Sequence, residues 1–344
     1  MNSPTPAIAI TVFTAFVLSA GLTLALSRAG VMLDHPNARS LHAKPVPRTG
    51  GLAVLAAVFT AFALSFFLVA PSTEWAWIGA AVSLVAAVSF LDDRKEVRAR
   101  YRLAAHLLSA LLLVTGGMAW ARLELPHLAW TMPNWLSLAL TLLFVVWMIN
   151  LYNFMDGMDG LAAGMAVFGF GALAVIGWRE QAGVYAFANA VVAASAAGFL
   201  LGNFPPARIF LGDLGSATLG FAAAASALVG AKEGLFPLWV AWLAFSPFIV
   251  DATSTLLRRV SRGERVWEAH RSHHYQRLVL SGWSHRKTLL WSYLLMAACA
   301  ATSVAAVGMT GQDQALLLAA WTIIYLLIGF RVRLAERTAG SVSA

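Results

Sequence analysis

The most regular feature of the chain is a succession of long apolar runs separated by short polar segments. Eleven such runs cover roughly 7–27, 51–70, 76–91, 103–120, 135–152, 161–178, 183–201, 214–231, 236–257, 288–308 and 314–331. A helix needs about 20 apolar residues to cross a bilayer core about 30 Å thick. The runs do not alternate apolar and polar residues as barrel strands do. The pattern therefore predicts an all-α polytopic membrane protein with about eleven transmembrane helices.

The composition agrees with this prediction. Of 344 residues, 60% are hydrophobic and only 12% are charged, and the mean hydropathy is +0.73. Because a soluble domain carries about 25% charged residues, a soluble globular protein is excluded. We expect residues 1–344 to form a single integral membrane domain. The one cysteine, Cys299, lies in an apolar run, which predicts a small buried residue and no intrachain disulfide.

The basic residues are distributed unequally between the two sides of the predicted membrane. Of 24 Lys and Arg, 21 fall in the segments 28–50, 92–102, 202–213, 258–287 and the tail from 331. Cytoplasmic loops carry such an excess, so these segments and the 152–160 loop are predicted to be cytoplasmic, with the N-terminus outside and the C-terminus inside. The net charge of +8 then needs no nucleic acid to explain it. Arg28 follows the first apolar run rather than preceding it, so no cleavable signal peptide is expected.

The acidic residues also concentrate on the predicted cytoplasmic side. Seven aspartates lie there, at inner ends of spans or in the connecting loops: Asp34, Asp92, Asp93, Asp156, Asp159, Asp213 and Asp251. A carboxylate at the end of an apolar helix is costly unless it pairs, binds a cation or lines a wet cavity. Their placement therefore predicts a functional site, and it includes Asp251 because ionisable residues within spans are usually functional.

The first cluster is the adjacent pair Asp92-Asp93 at the inner end of the third span, followed by Arg94 and Lys95. Adjacent carboxylates repel each other, so both ionise only when cations are nearby. The basic neighbours or a divalent metal would supply that charge. An interfacial cap, in which the basic residues merely neutralise the acids, explains the pair equally well.

The second cluster lies in the 152–160 loop, where Asn153, Asp156 and Asp159 follow one another at intervals of three, with Gly157 and Gly160 between and after them. This spacing places the polar side chains on neighbouring turns if the stretch is helical. Hard oxygen donors of this kind suit Mg²⁺ rather than zinc. A glycine-rich turn would explain the glycines but not two acids so close to the bilayer, so the functional interpretation is favoured.

The third cluster runs from 202 to 216 and contains Asn203, two prolines that end the seventh span, Phe210 and Asp213. It leads into the eighth span, whose helix N-terminus could receive a phosphate. The ring of Phe210 could stack on a nucleotide base. The alternatives are an interfacial anchor for Phe210 and a helix cap for Asp213.

The fourth cluster is the histidine loop, residues 270–277, which contains His270, Arg271, His273, His274 and Arg277. Arginine side chains match the geometry of phosphate oxygens. Zinc is disfavoured because no cysteine accompanies the histidines. A positively charged cytoplasmic loop would explain the arginines but not three histidines within five positions. Lys44 and Arg48 in the 28–50 segment add a second basic group.

Together the four clusters predict a pocket that faces the cytoplasm. Its carboxylates would hold Mg²⁺, its basic loops would hold phosphates, an aromatic ring would stack on a base, and its apolar walls would admit a lipid. This combination indicates phosphoryl transfer involving a lipid at the membrane surface.

The four clusters, in this order, resemble the polyprenyl-phosphate N-acetylhexosamine-1-phosphate transferases, which include initiators of O-antigen and teichoic-acid synthesis and the phospho-N-acetylmuramoyl-pentapeptide translocases. The matching motifs are Asp-Asp, Asn-Phe-x-Asp-Gly-x-Asp-Gly-Leu and Asn…Phe-x-Gly-Asp-x-Gly-Ser, and the resemblance covers roughly residues 30–290. Eleven spans resemble the hexosamine branch better than the ten-span muramoyl branch. The histidine loop reads Arg-Ser-His-His-Tyr-Gln-Arg, without three consecutive histidines. In this it is more similar to O-antigen initiators that use 6-deoxy-N-acetylhexosamines.

The resemblance implies a role for each residue that matches a motif. Asp92, Asp93 and Asp156 would be catalytic, with Asp92 deprotonating or orienting the lipid phosphate. Asp213, Asp156 and Asp93 would hold Mg²⁺, for which Mn²⁺ is a substitute. The residues implied in substrate binding are Asn153, Asp159, Asn203, Phe210, Arg48, Lys44, Arg271, His273 and His274, with Phe210 stacking on uracil.

The resemblance also implies the reaction and its setting. Polyprenyl (undecaprenyl) phosphate would attack the β-phosphorus of a UDP-N-acetylhexosamine, releasing UMP and forming a polyprenyl-diphospho-sugar. This would be the initiating step of a cell-surface glycan, at the cytoplasmic face of the inner membrane. No nucleic-acid partner is expected, and a homodimer is one expected assembly.

Three other functions remain as alternatives. The first is the muramoyl-pentapeptide translocase of the same family. The second, CDP-alcohol phosphatidyltransfer, would require Asp-Gly-x-x-Ala-Arg, whereas Leu-Ala-Ala-Gly follows Asp159-Gly160 here. The third is an ion or lipid transporter, which would place polar residues near the midplane of several spans. The polar residues of this chain lie mostly at inner helix ends instead.

Overall fold

A computed structural model describes residues 5–34, 45–65, 73–265 and 270–342 of the chain, and most of them are helical. The helices are α1 (Thr5–Ala29), α2 (Gly50–Ser65), α3 (Thr73–Lys95), α4 (Ala99–Thr115), α5 (Asn134–Met155), α6 (Leu161–Arg179), α7 (Gly183–Asn203), α8 (Gly212–Lys232), α9 (Leu238–Ala244), α10 (Ser246–Ser261), α11 (His274–Leu280), α12 (His285–Ala306) and α13 (Gly311–Val342). Two short antiparallel pairs accompany them: β1 (Leu33–Asp34) with β2 (Val46–Pro47), and β3 (Arg122–Leu125) with β4 (Leu128–Thr131). The predicted architecture, nearly all α, is confirmed.

In the described part of the chain, each of the eleven predicted apolar runs overlaps a helix or, for the ninth run, the pair α9–α10. In the described part of the chain, eight helices are long and apolar enough to cross a membrane, and counting the bent pair as one span gives nine. The shorter α2 and α4 have 16 and 17 residues. The protein is therefore a multi-pass membrane protein with eight or nine candidate spans. The count of eleven and the orientation of the termini stay predictions.

α8 lies at the centre of the helical assembly. Its most apolar stretch is 83% buried within the protein, whereas that of α13 is only 11% buried. Glycine and alanine make up much of α8, and such small side chains let helix backbones approach closely inside a membrane. α8 packs against α2, α3 and α5 in this way. Consequently the first turn of α8 lies beside the beginning of α2 and the ends of α3 and α5.

The pair α9–α10 bends by 87°. The break falls at Phe245, and Pro247 occupies the first turn of α10, where a missing N–H costs nothing. Ser246 Oγ donates to the carbonyl of Leu243 at 2.7 Å and lies 2.6 Å from the Tyr325 hydroxyl. Beyond this bend, α10 carries Asp251 into contact with the histidine loop.

Gly51 marks the closest contact between α2 and α8. A Cβ at Gly51 would lie 2.4 Å from the backbone nitrogen of Gly215 and 2.9 Å from the carbonyl oxygen of Leu211. Neither backbone atom can move aside without separating the helices, and overpacking of this kind costs about 1–3 kcal/mol. We therefore expect Gly51→Ala to lower the Tm of the detergent-solubilised protein in a thermal unfolding measurement.

Gly79→Ala is the matched control. Gly79 also lies within a helix, but among the described residues no atom of a neighbouring segment lies within 4 Å of the position that its Cβ would take. Alanine favours a helix over glycine by about 1 kcal/mol, so the Tm of this variant should stay constant or rise. If Gly51→Ala had the same Tm as Gly79→Ala, the close crossing of α2 and α8 would be wrong.

Candidate active site

The carboxylate of Asp93, near the C-terminal end of α3, caps the N-terminus of α8. Asp93 Oδ1 accepts a hydrogen bond from the backbone N–H of Asp213 at 3.1 Å, and Oδ2 accepts one from Leu214 at 2.9 Å. The first N–H groups of a helix have no partner within it and attract an anion. Asp93 is only 4% exposed. This contact joins two sequence motifs that are 120 residues apart.

Gly212 makes the approach of Asp93 to α8 possible. It has a φ of +75°, and a Cβ there would lie 2.7 Å from the carbonyl oxygen of Arg48 and 3.1 Å from Asp93 Oδ2. Only glycine meets both requirements without strain. Arg48 reaches the same carboxylate, with Nε 3.9 Å from Asp93 Oδ1, and its Nη2 donates to the carbonyl of Asp93. The predicted basic residue Arg48 therefore lies at the acidic pair.

Asp92 is held by protein groups on both of its oxygens. Oδ1 accepts a hydrogen bond from the N–H of Val97 at 2.7 Å, and Oδ2 accepts one from Arg102 Nη1 at 2.6 Å. The Asp92 carboxyl also lies close to that of Asp213. The side chain of Arg102 remains 41% exposed, so part of its guanidinium is available to a phosphate. In the sequence Arg102 is marked only as a basic residue, because its partner lies across the break between α3 and α4.

The second and third motifs meet through Asn153. Its Nδ2 donates to Asp213 Oδ1 at 2.9 Å and to Ser216 Oγ at 3.0 Å. Asp156 follows immediately after the end of α5. Burial, together with the negative charges of Asp213, Asp93 and Asp159, raises the pKa of Asp156 to about 8. The predicted acids are therefore close enough to repel one another.

Asp159 and Asn203 hold neighbouring loops together. Asp159 Oδ2 accepts a hydrogen bond from the N–H of Ala207 at 2.9 Å. Asn203, which is 4% exposed, accepts one from Gly160 at 2.9 Å and donates to the carbonyl of Ile209 at 2.8 Å. These contacts explain why both side chains lie beside the site. Their roles in binding a nucleotide stay predictions.

Phe210 connects the third motif to the segment before α2. Its N–H donates to the carbonyl of Pro47 at 2.7 Å, and its carbonyl accepts from Gly50 at 2.9 Å. The side chain of Phe210 is half-buried, and its stacking on uracil stays a prediction. Lys44 lies outside the described residues.

Asp251 organises the histidine loop. Its Oδ1 accepts a hydrogen bond from the N–H of His274 at 2.9 Å and lies 3.3 Å from His273 Nδ1. Thr255 Oγ1 also donates to Asp251 Oδ1 at 3.2 Å. His273 is only 3% exposed, so Asp251 holds its ring inside the protein, whereas His274 is half-buried. Burial lowers the pKa of His274, which favours its neutral form.

The histidine loop lies directly against the second motif. The hydroxyl of Tyr275 would be 2.2 Å from a Cβ at Gly157, the residue after Asp156. Arg271 is half-buried in the same loop. The loop that carries arginines and histidines therefore borders the loop that carries the acids. Nothing in the sequence marks Tyr275, because an aromatic residue in a basic loop has no distinctive spacing.

The described residues contain no three His, Cys, Asp or Glu side chains arranged so as to hold a metal ion by themselves. A cation at the aspartates would need further oxygen ligands from water or a substrate. Mg²⁺ is usually held in this way, by one or two carboxylates together with substrate phosphates and water.

Comparison with known proteins agrees with the motifs. Residues 75–231, which include Asp92 and Asp213, match the family described as Glycosyl transferase family 4. A probable undecaprenyl-phosphate N-acetylglucosaminyl 1-phosphate transferase of Bacillus subtilis is 32% identical over 76% of this chain and 74% of its own length. A decaprenyl-phosphate N-acetylglucosaminephosphotransferase of Mycolicibacterium smegmatis is 32% identical over 76% of this chain and 71% of its own length.

A relative from the muramoyl branch is also similar. The phospho-N-acetylmuramoyl-pentapeptide-transferase of Halalkalibacterium halodurans is 29% identical over 71% of this chain and 78% of its own length. These similarities extend over most of the chain, and the family match over residues 75–231 includes the first three clusters of the site. The chain therefore belongs to the polyprenyl-phosphate N-acetylhexosamine-1-phosphate transferase family.

Proposed function

We propose that the protein transfers an N-acetylhexosamine 1-phosphate from a UDP-sugar to polyprenyl phosphate at the cytoplasmic face of the inner membrane. The observation that carries this proposal is the contact between the cluster of aspartates and the histidine loop. A diphosphate substrate requires acidic side chains that bind a cation and basic side chains that bind its phosphates. The enzyme would thereby initiate a cell-surface glycan such as O-antigen.

The reaction is a displacement at phosphorus. An oxygen of the lipid phosphate forms a bond to the β-phosphorus of the UDP-sugar, the bond between that phosphorus and the bridging oxygen breaks, and UMP leaves with the electron pair. Most of the catalysis in such a transfer comes from positioning and charge stabilisation. Arg271 and His274 would bind phosphate oxygens on one side of the diphosphate. Arg48 and Arg102 would bind the lipid phosphate on the other side.

The acidic cluster fits Mg²⁺. Burial and three neighbouring carboxylates raise the pKa of Asp156 to about 8, and a divalent cation would relieve this repulsion. Asp213 and Asp156 would hold the cation, with Asp93 next to them at the start of α8. Bound there, Mg²⁺ would neutralise the diphosphate and the departing UMP.

The contacts of Asp92 favour orientation of the lipid phosphate over its deprotonation. Both carboxylate oxygens already accept hydrogen bonds, from Val97 and Arg102. In this arrangement Asp92 fixes the guanidinium of Arg102, whose exposed part would bind the phosphate.

The proposal extends to the membrane topology. We infer that α2, α4 and the bent pair α9–α10 cross the bilayer together with the eight longer helices, which gives eleven spans. The excess of basic residues, 21 of 24, then lies with the aspartates on the cytoplasmic side.

The sugar is proposed by class, as a UDP-N-acetylhexosamine. The curated relatives named above include transferases of N-acetylglucosamine 1-phosphate. The histidine loop lacks three consecutive histidines, which supports the hexosamine branch and not the muramoyl branch. N-acetylglucosamine and a 6-deoxy-N-acetylhexosamine are the two sugars to compare first.

A UMP-release assay tests the reaction. Purified protein, polyprenyl phosphate and Mg²⁺ should release UMP from UDP-N-acetylglucosamine or a UDP-6-deoxy-N-acetylhexosamine, and not from UDP-N-acetylmuramoyl-pentapeptide. A chelator should stop the release, and added Mg²⁺ or Mn²⁺ should restore it. Absence of UMP with every UDP-N-acetylhexosamine would refute the proposed function. Release from the muramoyl substrate alone would identify a translocase instead.

Asp213→Asn tests the cation-binding carboxylate. The amide keeps the size of the side chain but loses its charge, so we expect kcat to fall about 100-fold or more while the Tm changes little. Asp313→Asn is the control, because Asp313 is an exposed aspartate at the start of α13. An Asp213→Asn enzyme that turns over at the wild-type rate would remove Asp213 from the metal site.

Arg102→Gln tests the residue that the structure adds to the prediction. Loss of the guanidinium leaves Asp92 without its ion pair and removes a phosphate ligand, so kcat/KM for polyprenyl phosphate should fall about tenfold or more. Arg100→Gln is the control, since the guanidinium of Arg100 contacts the ring and hydroxyl of Tyr101. If Arg102→Gln kept the kcat/KM for polyprenyl phosphate that Arg100→Gln shows in the UMP assay, Arg102 would not belong to the site.

A further inference from the structure

The last helix is longer than a membrane span requires, and its extension reaches the histidine loop. α13 has 32 residues, whereas about 20 suffice to cross the hydrocarbon core. Glu336 lies in the extension. Both of its carboxylate oxygens accept hydrogen bonds from Arg277, Oε1 from Nε and Oε2 from Nη2. A bidentate pair of this kind fixes the relative orientation of its two side chains.

The two partners differ in burial. The side chain of Arg277 is 6% exposed, whereas that of Glu336 is 42% exposed. A buried guanidinium that loses its carboxylate remains charged and has no compensating partner, which is strongly unfavourable. Arg277 therefore depends on Glu336 more than Glu336 depends on Arg277.

Arg277 belongs to α11, a helix of seven residues. So short a helix does not persist by its own hydrogen bonds. α10 holds its beginning, because Asp251 accepts from the N–H of His274 and Arg258 donates to the carbonyl of Ser272. Glu336 holds its fourth residue from α13. The orientation of α11 is thus set by two longer helices that lie outside the aspartate cluster.

We propose that Glu336 is a positioning residue for the transfer reaction: through Arg277 it fixes α11 and so presents Arg271 and His274 to the phosphates of the sugar nucleotide. This inference rests on the function proposed above. Glu336 itself touches neither substrate, and nothing in the sequence motifs assigns it a role. The extension of α13 would then be part of the active-site framework.

Glu336→Gln tests the proposal by steady-state kinetics. The variant loses the negative charge that holds Arg277. α11 is then less well ordered in the free enzyme, which therefore binds the sugar nucleotide more weakly. KM for the UDP-sugar should rise about tenfold, while KM for polyprenyl phosphate and kcat should each change by less than about threefold. An unchanged KM for the UDP-sugar in an active enzyme would overturn the proposal.

Glu264→Gln is the matched control. Glu264 is 41% exposed and pairs with Arg259, which is 6% exposed, so its burial matches that of the Glu336 pair. Arg259 lies in the last turn of α10 and also donates to the carbonyl of Arg265, so this pair stabilises the end of α10. A rise in KM equal to that of Glu336→Gln would mean that any lost cytoplasmic ion pair has the same effect, and this would contradict the proposal.

Hydrogen–deuterium exchange supplies a measurement that does not depend on turnover. Amides of 275–280 should exchange faster in Glu336→Gln than in the wild type or Glu264→Gln, whereas those of α8 should be unchanged. If the wild type released no UMP, the proposed function would fail, but the exchange result would still decide whether Glu336 holds α11. Equal exchange in all three proteins would overturn the positioning role.

Exchanging the two charges gives a variant that restores the interaction. Arg277→Glu alone should raise KM for the UDP-sugar as much as Glu336→Gln or more. Combining Arg277→Glu with Glu336→Arg should recover part of that loss and slow the exchange of 275–280. A double variant no better than Arg277→Glu would contradict a direct pairing.

Discussion

The carboxylate of Asp93 on the N-terminus of α8 is the contact on which the rest of the site depends. It satisfies two backbone N–H groups that α8 cannot satisfy itself. In doing so it fixes the end of α3 against α8 and leaves Asp213 directed to Asn153. The segment before α2 joins the same place through Arg48. One buried carboxylate thus joins α3 to α8 and to the segment before α2, and Asp213 adds the end of α5.

Bringing these carboxylates together is electrostatically unfavourable, and this explains where in the protein the site lies. Further aspartates lie near the start of α8, and burial together with the negative charges of Asp213, Asp93 and Asp159 raises the pKa of Asp156 to about 8. At the middle of a bilayer such a cluster would be very unfavourable. At the ends of helices, water and the arginines Arg48 and Arg102 are available to stabilise it. The histidine loop completes this surface because Asp251 and Glu336 hold it there.

Much of the fold was predictable because the bilayer imposes a simple rule on helix length and composition. The four motifs were also predictable, because acidic residues beside apolar runs are energetically costly in a membrane and are usually functional. The partners of individual side chains were not. Arg102, Tyr275 and Glu336 were missed because packing between separate helices selects them, and no local spacing marks them. For the same reason, the sequence over 236–257 predicts one continuous span and does not mark the bend at Phe245.

The central claim is that the reaction transfers a sugar together with its phosphate. The most direct measurement uses a UDP-N-acetylhexosamine labelled with ³²P at the β-phosphate, incubated with the protein, Mg²⁺ and polyprenyl phosphate. We expect the ³²P label to enter the lipid fraction in an amount equal to that of the UMP released. If the label instead remained in UDP while the sugar entered the lipid, the reaction would be glycosyl transfer without the phosphate. That result would refute the proposed reaction.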